Sequence, residues 1–151
     1  MLISTKGRYA LQVMCDLLAH DSGDYVPLKE IAARQSISQK YLESITKTLV
    51  RGGLVEASSG RGGGYRLLRS GDDYTVGEIL RCTEGSLAPV ACVEDNACAR
   101  RGPCMACSLW EGLQNAIDGY LDSITLTELS GQHRTNTSAD SDGSFPPEIC
   151  L

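Results

Sequence analysis

Long hydrophobic runs and histidines are scarce in this sequence of 151 residues, and each shortage excludes a class of protein. No apolar stretch approaches the roughly 18 residues that a membrane-spanning helix needs, so we expect no membrane partner. The opening residues carry Lys6 and Arg8 where the apolar centre of a signal peptide would lie, which favours a cytoplasmic protein. The two histidines, His20 and His133, belong to no catalytic constellation, so the sequence does not indicate an enzyme.

Charge is divided unevenly along the chain, although the net charge is only −5. Residues 1–70 contain ten Lys and Arg against six Asp and Glu, whereas residues 71–151 contain four against thirteen. A basic front half and an acidic back half indicate that a polyanion such as nucleic acid would meet only the front half. Solvated acidic side chains alone would give the same balance, so charge favours nucleic acid only slightly.

Three segments near the start of the chain have apolar residues at helical spacing. They predict helices over residues 5–20, 27–34 and 38–51, with a very short connection between the last two. Ser38 is a suitable N-cap for the third helix, and a pair of glycines follows its end. The free face of that helix is polar, which favours a helix-turn-helix motif. An ordinary helical hairpin with a solvated face is the alternative.

A glycine-rich segment, LVEASSGRGGGYRLLR, follows the helix pair and alternates apolar and polar residues on both sides of its glycines. This pattern predicts a β-hairpin with Arg61 at its tip and with Arg66 and Arg69 on the return strand. A nucleotide-binding loop is disfavoured because neither a Gly-Lys-Ser/Thr ending nor a following helix is present. The fold class is therefore mainly α with a small β-hairpin wing, a winged helix-turn-helix domain over residues 1–84. Its last element is a short helix capped by Thr75.

Four of the seven cysteines lie within sixteen residues, in a segment that contains glycine, proline and charged residues. They are Cys92, Cys98, Cys104 and Cys107. Clustered thiols in a reducing compartment more often bind metal or perform redox chemistry than form disulfides, and an odd total suits a disulfide scaffold poorly. The four thiols could therefore bind an iron–sulfur cluster, bind a zinc ion or act as a redox switch. Zinc usually takes two Cys-x2–4-Cys pairs, and this segment has one.

The segment after the cysteines, CSLWEGLQNAIDGYLDSITLTEL, has a broad apolar stripe of a long helix. The predicted dimerisation residues on it are Leu109, Trp110, Leu113, Ile117, Tyr120 and Ile124. A helix of this length on a small winged domain has little of its own chain to cover it, which favours a homodimer on pseudo-palindromic double-stranded DNA. The alternative is that the stripe covers the winged domain's own core.

The remaining boundaries follow from these patterns. We predict a cysteine-rich cluster-binding loop over residues 85–107, and a dimerisation helix with a short C-terminal helix over residues 108–130. Residues 131–151 are polar and aperiodic, which predicts a disordered tail.

Several of these segments together resemble one family. ISTKGRYALQVMCDLLAH, SQKYLESI, LVRGGLVEASSGRGGGYRL, TVGEILRCTEG and LDSITLTEL are similar to the Rrf2 family of bacterial winged-helix regulators, over essentially residues 1–130. The resemblance implies a homodimeric transcription regulator in which the long helix crosses its partner and the wing enters the minor groove.

The resemblance also implies a ligand set. Cys92, Cys98 and Cys104 match the Cys-x5-Cys-x5-Cys spacing of cluster-binding members, whose fourth ligand is a histidine three residues later or an aspartate of the partner's first helix. This sequence has Cys107 and Arg8 at those places, so Cys107 is the candidate fourth ligand. Four thiolates suit both [2Fe–2S] and [4Fe–4S] clusters, which leaves the cluster type open. Members without the cysteine segment respond to a protein partner, and the cysteines here would then bind zinc or act as redox thiols.

The start of the first helix, the polar face of the third helix and the tip of the hairpin together predict a DNA-contacting surface. It comprises Lys6, Arg8, Ser38, Gln39, Lys40, Tyr41, Glu43, Ser44, Arg61, Gly62 and Gly63. Lys6 and Arg8 would contact phosphates, the helix residues would enter the major groove, and Arg61 the minor groove. The two other helical cysteines, Cys15 and Cys82, are predicted to lie in the core.

Overall fold

The computed structural model describes residues 3–94 and 103–131. The helices are α1 (Thr5–Ala19), α2 (Leu28–Gln35), α3 (Gln39–Arg51), α4 (Val76–Glu84), α5 (Ala91–Glu94) and α6 (Cys107–Asp122). The strands are β1 (Val55–Ser58) and β2 (Gly64–Leu67), and residues 126–131 are again helical. None of the helices within these residues is long and apolar enough to cross a membrane.

Side-chain caps set the helix starts, as the sequence predicts for two of them. Ser38 accepts a hydrogen bond from the N–H of Tyr41 (3.3 Å), and Thr75 accepts one from the N–H of Glu78 (3.1 Å). The start of α2 is one residue later than predicted, because Pro27 is its N-cap and not part of its first turn. These local signals place α2 and α3 close to the predicted ranges.

The hairpin forms with Val55 opposite Leu67 and Ser58 opposite Gly64. A third segment joins it, since Val26 and Tyr65 exchange two backbone hydrogen bonds of 2.9 Å. This pairing ties the wing to the entry of α2. The fold class predicted from the sequence, mainly α with a β-hairpin wing, is thereby confirmed.

One core joins α1, α3, α4 and the base of the wing. Leu42, Ile45 and Leu49 of α3 are fully buried in it, as the helical spacing predicts. Tyr74, also fully buried, donates its hydroxyl hydrogen to the carbonyl of Leu54 (2.7 Å). The apolar face of α3, the second helix of the helix-turn-helix, is therefore packed against the core.

The long C-terminal helix is shorter than predicted. It ends at Asp122, and the next residues pair with the start of α4: the N–H of Val76 donates to the carbonyl of Ile124 (3.0 Å). Leu126 is then fully buried in the main core. Ile124, predicted as a dimerisation residue on the long helix, lies beyond the end of α6 and packs against the chain's own Val76 and Leu80. Its part in a dimer stays a prediction.

The cysteine-rich segment is partly helical. Cys92 lies in the single turn of α5, and Cys107 is the first residue of α6, so the predicted loop over 85–107 contains one helical turn and ends where α6 begins. Cys98 lies outside the described residues, as does the predicted tail after residue 131.

Candidate DNA interface and cysteine site

The free face of α3 is exposed and polar. Ser38, Gln39, Lys40 and Ser44 are all exposed, while Glu43 is half-buried at the edge of the same face. The apolar stripe of α3 turns the opposite way, into the core. The helix thus presents hydrogen-bonding side chains outward without disturbing its packing, which is the arrangement that a groove-reading helix requires.

Tyr41 differs from these neighbours. It is half-buried, and its ring packs edge-to-face on that of Tyr9 in α1, with 5.8 Å between the ring centres. Its side chain therefore helps to fix α3 against α1.

The start of α1 is the second part of the candidate interface. Arg8 is exposed and donates to the hydroxyl of Thr5 (3.1 Å), and Lys6 is half-buried. The backbone here is fixed from α4, because Ser4 donates to the carboxylate of Glu84 (2.6 Å). Gly7 makes this approach possible, since a β-carbon there would overlap that carboxylate.

The tip of the wing exposes Arg61. Gly60 and Gly62 on either side have φ of 91° and 79°, a left-handed conformation that favours glycine, and Gly62 is exposed while Gly63 is half-buried. Within the described residues no carboxylate pairs with Arg61. Its guanidinium is thus presented at the end of a narrow, glycine-rich loop.

The two other arginines of the predicted hairpin are used within the fold. Arg66 pairs with Glu56 across the strands and stacks on the ring of Tyr25 at 4.7 Å. Arg69 lies beyond the end of β2 and donates to Glu78 of α4 (2.6 Å). The sequence predicts one basic hairpin with three arginines. In the structure two of them form ion pairs within the fold, and Arg61 at the tip is the one left for a partner within the described residues.

A buried carboxylate that sequence reasoning missed orients the helix-turn-helix. Asp16 of α1 is 4% exposed and accepts hydrogen bonds from Arg34 (2.7 Å) and Gln35 (2.8 Å) at the end of α2. Ser36 then turns the chain with φ of 54° into α3. The only sequence signal was an acidic residue on an otherwise apolar helix face.

The described thiols of the cysteine segment differ in exposure. Cys92 and Cys104 are exposed, while Cys107 is half-buried and donates to the carboxylate of Glu111 (3.4 Å). The N–H of Cys107 donates to the carbonyl of Cys104 (3.3 Å), which places both residues in the turn that begins α6. The short helix with Cys92 lies against α6. Within the described residues no three metal-ligating side chains come together.

Cys15 and Cys82 pack against the main core, as predicted. Burial, reinforced by Asp16, raises the pKa of the Cys15 thiol to about 11. Burial also raises the pKa of Cys82, which donates its S–H to the carbonyl of Thr48 (3.6 Å). Both groups remain protonated thiols at neutral pH, a form that binds metal poorly.

The apolar stripe of α6 lies open in the single chain. Leu109, Leu113 and Tyr120 are 61%, 41% and 67% exposed, and Trp110 and Ile117 are half-buried beside them. An exposed run of large apolar side chains at helical spacing is typical of a protein–protein contact.

A helix-turn-helix with a polar second helix, followed by a hairpin with an arginine at its tip, defines a winged-helix DNA-binding regulator. The chain belongs to the Rrf2 family, described as an iron-dependent transcriptional regulator, whose family profile matches residues 3–132.

Individual relatives agree with this assignment. The HTH-type transcriptional regulator IscR of Photobacterium profundum is 38% identical over 129 residues, 85% of this chain and 75% of the relative. The structure of CymR, the global cysteine regulator of B. subtilis, has a TM-score of 0.72 at 37% identity and covers 87% of this chain and 98% of its own. That of T. potens IscR has a TM-score of 0.67 at 36% identity, covering 95% and 94%.

Proposed function

We propose that the protein is a homodimeric transcription regulator whose binding to a pseudo-palindromic operator is controlled by an iron–sulfur cluster. The observation that carries this proposal is the position of the cysteines. Cys107 begins the helix whose apolar face is open for a partner, and the helical turn with Cys92 lies against that same helix. A ligand at these thiols would therefore act on the element that joins two protomers.

On DNA, α3 enters the major groove. Gln39 pairs with an adenine, Lys40 with a guanine, and Glu43 accepts from the amino group of a cytosine. Lys6 and Arg8 contact phosphates and set the register, while Arg61 enters the minor groove. The exposure of Gln39, Lys40 and Arg61 supports these roles.

Replacing Lys40 or Arg61 with alanine tests this docking. Each change should weaken binding about tenfold, since one base-reading contact contributes about 1–3 kcal/mol. The measurement is a fluorescence anisotropy titration at several salt concentrations, on DNA that the wild type selects from a random-sequence pool. Lys29→Ala, an exposed lysine of α2 outside the interface, is the control. Equal losses in all three variants would show that only charge matters and would contradict the docking.

The donor set fits an iron–sulfur cluster. Cys92, Cys98, Cys104 and Cys107 would hold it, and the exposed thiols of Cys92 and Cys104 are available as ligands. The cluster would supply an iron centre that responds to redox state, iron supply or nitric oxide. Cys15 and Cys82 are unsuited, because both are packed into the core as protonated thiols.

The cluster is tested on protein purified without air, by its visible spectrum and by iron, sulfide and zinc analysis. We expect near-equal iron and sulfide in the wild type, and loss of iron or a changed spectrum in Cys107→Ala. Cys150→Ala is the matched control and should resemble the wild type. A colourless wild type that holds zinc or no metal after reconstitution would contradict the cluster.

One observation favours a second candidate. The chain is 37% identical to CymR, the global cysteine regulator of B. subtilis, and the two structures share one fold with a TM-score of 0.72. In that case the chain is a cluster-free regulator that responds to a protein partner, with its cysteines binding zinc or acting as redox thiols. The metal analysis separates the two candidates, and the DNA titration is common to both.

A further inference from the structure

Arg81 joins α6 to the winged domain through two aspartates. Arg81 of α4 donates to Asp118 (2.6 Å) and, with two nitrogens, to Asp122 (2.7 and 3.0 Å). Gln114, one turn before Asp118, donates to the same carboxylate (2.6 Å). The three α6 residues thus form one polar side of the helix that faces α4.

The geometry of this contact is restrictive. A guanidinium that forks onto one carboxylate and reaches a second fixes both the distance and the rotation of the helix that carries them. Gly77, one turn before Arg81, permits the approach, since a β-carbon there would overlap the carboxylate of Asp122. The hydrogen bonds from Arg81 and Gln114 hold the pKa of Asp118 below its usual range, so the contact is ionic at neutral pH.

Few other contacts restrain α6. None of its residues is fully buried, and Leu121 is its one apolar residue packed against the small cluster around Val76 and Leu80, within the described part of the chain. Removing the Arg81 contact would therefore let α6 change its angle about its C-terminal end, where Ile124 and Leu126 stay bonded to the winged domain, without exposing a fully buried residue of α6.

The other side of α4 packs against α3, the recognition helix of the proposed DNA complex. Ile79 is fully buried in the core that also holds Leu49 of α3. Cys82 donates to the carbonyl of Thr48, and Gly52 lies so close that a β-carbon would overlap the Cys82 sulfur. Because α4 is fixed against α3, the orientation of α6 on α4 also sets the orientation of α6 relative to α3.

We propose that Arg81 is a positioning residue that holds α6 at a fixed angle to α3 and thereby sets the separation of the two recognition helices. This inference rests on the proposed function, in which α6 joins two protomers on DNA. A dimer reads two half-sites about one helical turn apart, so a small rotation at this joint changes which spacing fits.

The test is the discrimination between half-site spacings. DNA selected by the wild type is remade with one base pair inserted or removed between its half-sites, which rotates one half by about 34° and shifts it by about 3.4 Å. The wild type should discriminate at least about 30-fold against the altered spacings. Arg81→Gln should discriminate less than about fivefold, while both proteins bind a duplex with one half-site equally.

Glu78→Gln is the matched control, because it removes a similarly exposed ion pair of α4 that does not involve α6. The exchanged pair Arg81→Asp with Asp122→Arg should recover part of the discrimination, a result that a loss of general stability would not give. Wild-type discrimination in Arg81→Gln would overturn the proposal.

A second measurement does not depend on DNA. In hydrogen exchange, the amides of α6 should exchange about tenfold faster in Arg81→Gln than in the wild type, with those of α3 unchanged. Identical exchange of α6 would overturn the role of Arg81 by itself. A wild type that neither dimerises nor binds the selected DNA would instead overturn the proposed function, and the exchange result would then decide on Arg81 alone.

Discussion

Replacing Leu113 with glutamate is expected to separate the proposed dimer and to lower operator affinity at least about 100-fold. Leu113 is 41% exposed in the single chain and lies on the open stripe of α6 with Leu109, Ile117 and Tyr120. A carboxylate buried there without a partner would oppose association strongly. A protomer released from its dimer then keeps the contacts of one half-site only, and the gain from binding two linked half-sites is lost.

The measurement combines analytical ultracentrifugation with an anisotropy titration on the selected DNA. Asn115→Glu is the control, because it adds the same charge at an exposed position of α6 outside the stripe. We expect this control to remain a dimer with wild-type affinity. Dimeric Leu113→Glu would show that the α6 stripe is not the contact between protomers.

Replacing Tyr74 with phenylalanine is expected to lower the free energy of unfolding by about 3 kcal/mol. The hydroxyl of this fully buried residue donates to the carbonyl of Leu54 (2.7 Å) and accepts from the N–H groups of Leu68 (3.0 Å) and Arg69 (2.9 Å). Phenylalanine fills the same space but leaves the buried carbonyl of Leu54 and the partly buried N–H groups of Leu68 and Arg69 without the hydroxyl, and an unpaired buried group costs about 1–3 kcal/mol.

Thermal and urea unfolding at one fixed protein concentration would measure this loss, since the stability of a dimer depends on concentration. Tyr25→Phe is the control: its half-buried ring keeps the stacking with Arg66, so its stability should stay within about 0.5 kcal/mol of the wild type. Because Tyr74 joins the residues before and after the wing, Tyr74→Phe should also speed amide exchange in β1 and β2. A stability change below about 1 kcal/mol would show that water replaces the hydroxyl without cost.

The helix-turn-helix was predictable because its signals are local. Ser38 caps α3 through the N–H three residues later, and Leu42, Ile45 and Leu49 repeat at the period of a helix. The tip of the wing was predictable for the same reason, because the left-handed backbone of Gly60 and Gly62 favours glycine over other residues. The family resemblance extended these patterns over essentially residues 1–130 and agrees with the profile match over residues 3–132.

The same reasoning failed where periodicity continued past a break. The apolar residues of α6 and of the segment after it fit one stripe in the sequence, although the helix ends at Asp122. The break lets Leu126 enter the core and leaves Ile124 against α4. Residue spacing does not show whether a helix continues or ends so that the next leucine can be buried. The outcome depends on where the core lies in the folded chain.

The winged helix, its capped α3 and the four clustered cysteines can be read from the order of the residues. Which charges remain available for a partner depends instead on how the chain folds. Arg66 and Arg69 are taken by Glu56 and Glu78, Asp16 by Arg34, and Arg81 by two aspartates of α6, while Arg61 stays exposed. The physical reason is that an ion pair needs two charges close in space, and partners from 9 to 41 residues apart in the chain leave no local pattern.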